Sequence, residues 1–144
     1  MRSLLYVASM VLLCLGSASA QIFSSVEFAT TTPFIAGNAT VPPGKYIIRL
    51  TDDPSMLEIV NSAAAVSVLI EVEPLSTYYP AKRTVVTFNK YGERLVLKSV
   101  LVEGQETGVL SSTEMAERRH MRSYGKPTRV EIPVTVVKDE ARAQ

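Results

Sequence analysis

The chain has 144 residues, one cysteine, one histidine and no tryptophan, with 15 Lys and Arg against 14 Asp and Glu. Near-neutral charge supplies no long-range pull toward nucleic acid or an anionic bilayer, so neither is an expected partner. A lone cysteine excludes a disulfide-stapled mini-domain, and a chain of this length suits one domain that buries roughly two-thirds of its unfolded surface in its own core.

Residues 1–20 read as an export address. Arg2 gives a positive start, Leu4 to Leu15 an apolar run, and Ala18-Ser19-Ala20 a small-x-small pattern, which sets cleavage between Ala20 and Gln21. The run is shorter than the roughly 20 residues of a membrane-spanning helix, so no transmembrane anchor is expected after cleavage. Cys14 follows Leu13 instead of the small residue that precedes a lipidated cysteine, and it leaves with the leader. With Arg2 gone, acidic and basic residues balance. The expected organisation is a signal peptide over 1–20, a single β domain over 21–138 and a flexible tail over 139–144.

Val26 and Phe28 alternate with Glu27 as a first strand, and Phe34 to Val41 continue an extended path across Gly37-Asn38. Pro43-Gly44 fits the second and third positions of a type II turn, where the chain should reverse. Tyr46, Ile48 and Leu50 then share one strand face, and Asp52-Asp53-Pro54-Ser55 forms the next turn. Leu57 and Ile59 share a face, as do Val66, Val68, Ile70 and Val72. Glu73 to Lys82 is the longest connection and holds Pro74, Tyr78, Tyr79 and Pro80.

The strongest hairpin signal follows: two β-branched runs from Arg83 to Val102 flank Asn89-Lys90-Tyr91-Gly92-Glu93. Leu95 and Leu97 share a face while Val100 falls on the other, which a bulge at Lys98-Ser99 would correct. Gly104 and Gly108 bracket a loop. Ser111-Ser112-Thr113-Glu114 has capping-box spacing, predicting one helix to about Tyr124 that Gly125 and Pro127 end. Thr128 to Lys138 alternates again, with Val130, Ile132, Val134 and Val136 on one face. Pro133 places that strand at an edge or bends it. Short, turn-punctuated strands of this kind predict an all-β fold: a small sandwich or partly open barrel of about seven or eight strands with one short helix near the C-terminus.

Phe34-x-x-Gly37-x-x-x-Val41-Pro-x-Gly44-x-Tyr46, then Leu57-x-Ile59, then Phe88-Asn-Lys-Tyr-Gly-Glu93 and a Ser/Glu-rich helix start near Thr113 occur in that order. This resembles a family of small exported bacterial proteins of unknown function, over roughly Phe34 to Arg119. The resemblance implies a bacterial, extracytoplasmic β domain, periplasmic or secreted, and it brings no catalytic residues with it.

Residues for chemistry are sparse. Beyond the leader the chain has no cysteine and only His120, too few for a nucleophile–base pair or a several-ligand zinc or copper site. Met115 and His120 fall on different sides of a helix, so His120 reads as a packing residue on the face of Ala116 and Tyr124. Asp52-Asp53 reads as turn chemistry, not as an acid–base pair or calcium site. Gly104 and Gly108 lack the Lys-Ser/Thr of a phosphate loop. Asn38-Ala39-Thr40 is a glycosylation sequon without consequence in a bacterial source.

Two features remain as candidate partner-binding residues. Arg118, Arg119 and Arg122 cluster on one helix face, fit to dock carboxylate or phosphate groups, or to lie solvated with Glu114 beside Arg118. Tyr78 and Tyr79 on the long connection are fit to stack on a ligand, or one ring closes an end of the core. The sequence thus predicts an exported, non-enzymatic protein acting by binding or assembly, without cofactor or metal, on an envelope protein, glycan or small ligand. The alternatives are an apolar-ligand carrier with an internal cavity, and, below it, a cysteine-free hydrolase.

Overall fold

Alternating apolar and polar residues fold into eleven strands and one helix in the computed structural model, which describes residues 25–61, 63–112 and 114–137. The expected cleavage site at Ala20 and Gln21 and the expected tail over 139–144 lie outside the described residues. The strands are β1 (Ser25–Thr30), β2 (Phe34–Ala36), β3 (Ala39–Val41), β4 (Gly44–Leu50), β5 (Met56–Asn61) and β6 (Val66–Ser76). Then come β7 (Val85–Tyr91), β8 (Arg94–Leu101), β9 (Thr107–Ser111), the helix α1 (Glu114–Tyr124), β10 (Thr128–Pro133) and β11 (Thr135–Val137). The all-β class with one short helix is as expected; the strand count is higher.

The extra strands have local causes. Gly37 takes φ 60° and turns the expected extended path back on itself, so Phe34 pairs with Val41 in a β2–β3 hairpin. The last alternating run breaks at Pro133, which has no N–H for the ladder, and continues as β11 after Val134. The connection read over Glu73 to Lys82 is shorter, because β6 runs on to Ser76 with Pro74 in the ladder opposite Val109.

Pro43-Gly44 is not a type II turn. Gly44 opens β4 in extended backbone, φ 159°, and β4 pairs with β1 and β5 instead of folding back on β3. The chain therefore crosses here from one layer to the other. Asp52-Asp53-Pro54-Ser55 does reverse the chain, joining the antiparallel pair β4 and β5.

Hydrogen bonding follows the order β10-β7-β8-β9-β6-β5-β4-β1-β11, with β2 parallel to β8 and β3 on β2. The layers join at two corners. The first half of β6 pairs with β5 and its second half with β9. At the far side β10 pairs with β7 and β11 with β1, with Val134 between them. Bent strands that change layers are how sheets wrap around one core, and this arrangement stands between the sandwich and the partly open barrel.

The inward alternation is as expected. Val26, Phe28, Tyr46, Ile48, Leu57, Ile59, Ile70 and Val72 from one layer meet Phe34, Val86, Phe88, Leu97, Val100 and Val109 from the other. At the centre four rings interlock across the layers: Phe34 lies 5.4 Å from Phe88, 5.6 Å from Tyr46 and 5.8 Å from Phe28. The edge-to-face geometry suits the ring quadrupoles. The Tyr46 hydroxyl, deep in this cluster, donates to the Pro42 carbonyl at 2.6 Å, so its burial leaves no unsatisfied group.

The β7–β8 hairpin closes through Gly92-Glu93, with Tyr91 opposite Arg94. Gly92 alone of the pair has positive φ, 60°, the pattern of a type II′ turn. Thr87 lies opposite Ser99 and Phe88 opposite Leu97, which leaves Lys98 as the extra residue. The bulge falls where the sequence placed it, and it returns Val100 to the core face of Leu95 and Leu97. Val96 and Ser99 are nonetheless buried too, because α1 covers the outer face of this hairpin.

Candidate binding surfaces

The helix carries Arg122 in its last turn, favourable to the helix dipole. Gly125, φ 79°, ends it by donating its N–H to the Met121 carbonyl at 2.9 Å, as the sequence predicts. The N-cap differs from expectation. Ser111 belongs to β9, opposite Val72, and is too far upstream to cap a helix whose first residue is Glu114.

Glu117, His120 and Tyr124, spaced three and four apart, form the stripe that α1 lays on β7 and β8. The Glu117 carboxylate is 9% exposed; it accepts from Asn89 Nδ2 at 2.7 Å and from Lys98 Nζ at 3.2 Å. The bulge makes Lys98 available for this bond, since a bulge re-aims the side chain it carries. His120 stacks on Tyr91 with ring centroids 5.8 Å apart, and Tyr124 lies 6.3 Å from His120. The Tyr124 ring also rests on Gly92, where an added Cβ would come within 3.2 Å of it, and Arg94 sits 6.0 Å from its centroid.

His120 is therefore a packing residue on the face of Tyr124, as expected. Met121 points away into solvent. The side chains of Met115 and Ala116 lie outside what the structure describes, as does that of Glu114 beside Arg118.

Burial under α1 raises the Tyr91 phenol above its ordinary value, and the charge of Glu117 adds to the rise. The Asn89 amide pulls weakly the other way without reaching hydrogen-bond geometry, and the Tyr91 hydroxyl has no partner. Thr87 Oγ1 and Ser111 Oγ are likewise buried without one. The helix thus covers polar groups as well as Val96.

On the solvent side of α1, Arg118, Arg119 and Arg122 converge with Ser123 around a shallow groove of about 440 Å³. The structure brings the three predicted arginines together. Tyr78 and Tyr79 lie elsewhere, on the connection after β6, and are 99% and 82% exposed. Neither ring closes the core. Their loop is ordered by its backbone: Thr77 N–H donates to Glu106 O at 2.7 Å and Ala81 N–H to Gln105 O at 3.0 Å.

Asp53 behaves as turn chemistry predicts. Its Oδ1 accepts from the Ser55 hydroxyl at 2.6 Å and the Ser55 N–H at 2.9 Å, which hold its carboxyl below the usual range. Gly108 is not a loop glycine but part of β9, where a Cβ would lie 2.4 Å from the Val100 carbonyl oxygen. No group of three or more His, Cys, Asp or Glu fit to hold a metal occurs among the described residues. No helix among them is long and apolar enough to cross a membrane.

A larger feature escaped the sequence reading: a cleft of about 790 Å³ where the sheet splits. Along one edge of β8, β9 pairs at Ser99 and Val100 while β2 pairs at Leu95 and Val96. Between those partners the wall opens. The cleft is lined by the Gly37-Asn38 turn, Val68 to Glu71, Glu73, Lys98, Ser111 and Glu117. The sequon residue Asn38 stands at its rim. Only the bulge at Lys98 offered a local sign of this site.

Comparison of the chain with protein-family models, with curated proteins and with solved structures gives no match.

Proposed function

We propose that this is an exported, non-enzymatic protein of the bacterial envelope or extracellular space that acts by binding or assembly through its outer surface. The observation that carries the reading is the pair Tyr78 and Tyr79, held 99% and 82% in water on a hydrogen-bonded loop. Two such rings add nothing to the core, and tyrosine and arginine are the residues that anchor interfaces. The arginine groove on α1 supports the same reading. The leader pattern over residues 1–20 and the resemblance to small exported bacterial proteins support export.

Two measurements test it. N-terminal sequencing of the protein from fractionated cells should begin at Gln21; an unprocessed, cytoplasmic product overturns export. Quantified capture of envelope proteins or glycans should fall in Tyr78→Ser/Tyr79→Ser or in Arg118→Ala/Arg119→Ala/Arg122→Ala, with the melting temperature kept. Capture unchanged in both variants overturns binding through these groups.

A carrier of an apolar small molecule is the second reading. It rests on an apolar groove of about 380 Å³ between Leu50, Pro54, Val72, Pro74 and Val109. The groove lies at the surface, whereas the centre of the barrel is filled by the four interlocked rings. Native mass spectrometry of the protein with lipid retained would favour this reading over the first.

A further inference from the structure

The first half of β6 carries a hydrogen-bonding edge that no strand covers among the described residues. β5 runs along one side of Val66 to Glu71, and β9 joins the other side only from Val72 onward. Two bonds fix which groups are left over. Val72 N–H donates to Ser55 O on the β5 side, at 2.8 Å, and Glu71 O accepts from Ser112 N–H on the opposite side, at 3.1 Å. Successive residues of an antiparallel strand alternate sides. Ser67 and Leu69, of Glu71's parity, therefore aim their N–H and C=O groups away from β5.

Sheets blunt exposed edges with charges, proline, bulges or brevity. Val66-Ser67-Val68-Leu69-Ile70 uses none of these, and Leu69 is 59% exposed. The edge opens into the 790 Å³ cleft, whose rim carries Glu71 and Glu73. Neither carboxylate has a hydrogen-bond or ion-pair partner among the described residues. The one cation lining the cleft, Lys98, is held by Glu117.

We infer that this cleft accepts a strand. An extended segment of a partner polypeptide bearing Lys or Arg adds to the Val66–Ile70 edge, pairing its backbone with Ser67 and Leu69 and its cations with Glu71 and Glu73. Backbone pairing along a free edge supplies affinity, and alternate side chains supply selectivity. Ser112 and Leu110 already lie opposite Glu71 and Glu73, so the two carboxylates stand just past the end of the free edge, where a long Lys or Arg side chain from the end of the incoming strand reaches them. The inference rests on the binding reading above and names the partner's chemistry at a different surface.

The test uses the purified exported protein and a fluorescent octapeptide of alternating lysine and valine, with a glutamate–valine octapeptide as control. The basic peptide should bind, more weakly as salt rises, and the acidic one should not. Amide exchange at Ser67 and Leu69 should slow about tenfold or more on binding, while the β5-facing amides barely change. Leu69→Pro removes an N–H that faces the cleft and spares the β5 ladder; it should weaken binding about tenfold. Glu71→Lys/Glu73→Lys, at exposed positions, should do the same with the melting temperature kept, and it decides the matter if Leu69→Pro fails to fold.

Equal binding of the acidic peptide, unchanged exchange at Leu69, or full affinity in either variant would each overturn the inference. A concentration-dependent dimer that Leu69→Pro dissociates would give the edge to a second copy, and so overturn it as well. Failure here with capture still dependent on Tyr78, Tyr79 or the arginines would remove this site and leave the broader reading standing.

Discussion

Removing the Glu117 carboxylate tests whether a polar pin, and not apolar contact, holds α1 to the sheet. Glu117→Ala strips the partner from Asn89, bonded at 2.7 Å, and from Lys98, bonded at 3.2 Å. A hydrogen bond to a charged group is worth about 1.5–3 kcal/mol when buried, and the Asn89 bond sits at the low end of that range because it is a single neutral donor. The Lys98 side chain is 34% exposed and can rehydrate, which discounts its share to about 0.5 kcal/mol. The loss is then about 2 kcal/mol, or about 8 °C in melting temperature for a domain of this size. Urea unfolding followed by circular dichroism reads it directly. Glu117→Gln keeps an acceptor for Asn89 and should lose less than half as much. In a double-mutant cycle with Lys98→Met, the coupling should be about 0.5 kcal/mol. A Glu117→Ala protein within about 0.5 kcal/mol of the parent would refute the reasoning, because an unpinned helix would then sit equally well.

The other predictions concern the core, the sheet and the phenol. Phe34→Ala removes the ring that touches Phe28, Tyr46 and Phe88 and should cost about 3–5 kcal/mol by chemical denaturation; a loss below 1.5 would mean the four rings do not form the centre of the core. Gly108→Ala drives a Cβ against the Val100 carbonyl, so it should destabilise by about 1–3 kcal/mol and raise exchange at Val100 and Val109, whereas an unchanged exchange pattern would deny the close approach. Tyr91 ionises above the ordinary phenol range. Between that range and its own value the folded state keeps a proton that the unfolded state has released, so stability present below about pH 10 falls as pH rises. Tyr91→Phe should flatten that alkaline fall and cost little at neutral pH, since the lost hydroxyl has no partner; an alkaline slope equal to the parent's would place the effect elsewhere.

Much of the fold was legible because its signals are local. Period-two alternation marked the inward faces of β1, β4, β5 and β6, and Asp52-Asp53-Pro54-Ser55 marked a reversal that the Asp53–Ser55 bonds complete. The break in alternation between Leu97 and Val100 located a bulge, since a one-residue insertion is the cheapest way to restore a face. The surfaces were less legible. The arginines converge as helical spacing predicts, and only the structure showed that neither Tyr78 nor Tyr79 closes the core.

By itself the sequence determined which residues turn inward, the reversals at Asp52 to Ser55 and at Gly92-Glu93, and where the helix stops, because backbone sterics and side-chain hydrophobicity act over a few residues. It also set the want of cysteine after Cys14 and the single histidine. Tertiary structure alone decided that β6 and β10/β11 would each serve two layers, that Pro43-Gly44 would carry the chain across instead of back, and that the wall would part beside Lys98. Those outcomes depend on which distant segments share a hydrogen-bonded edge, and pairing between residues far apart in the chain leaves no periodic trace in either partner.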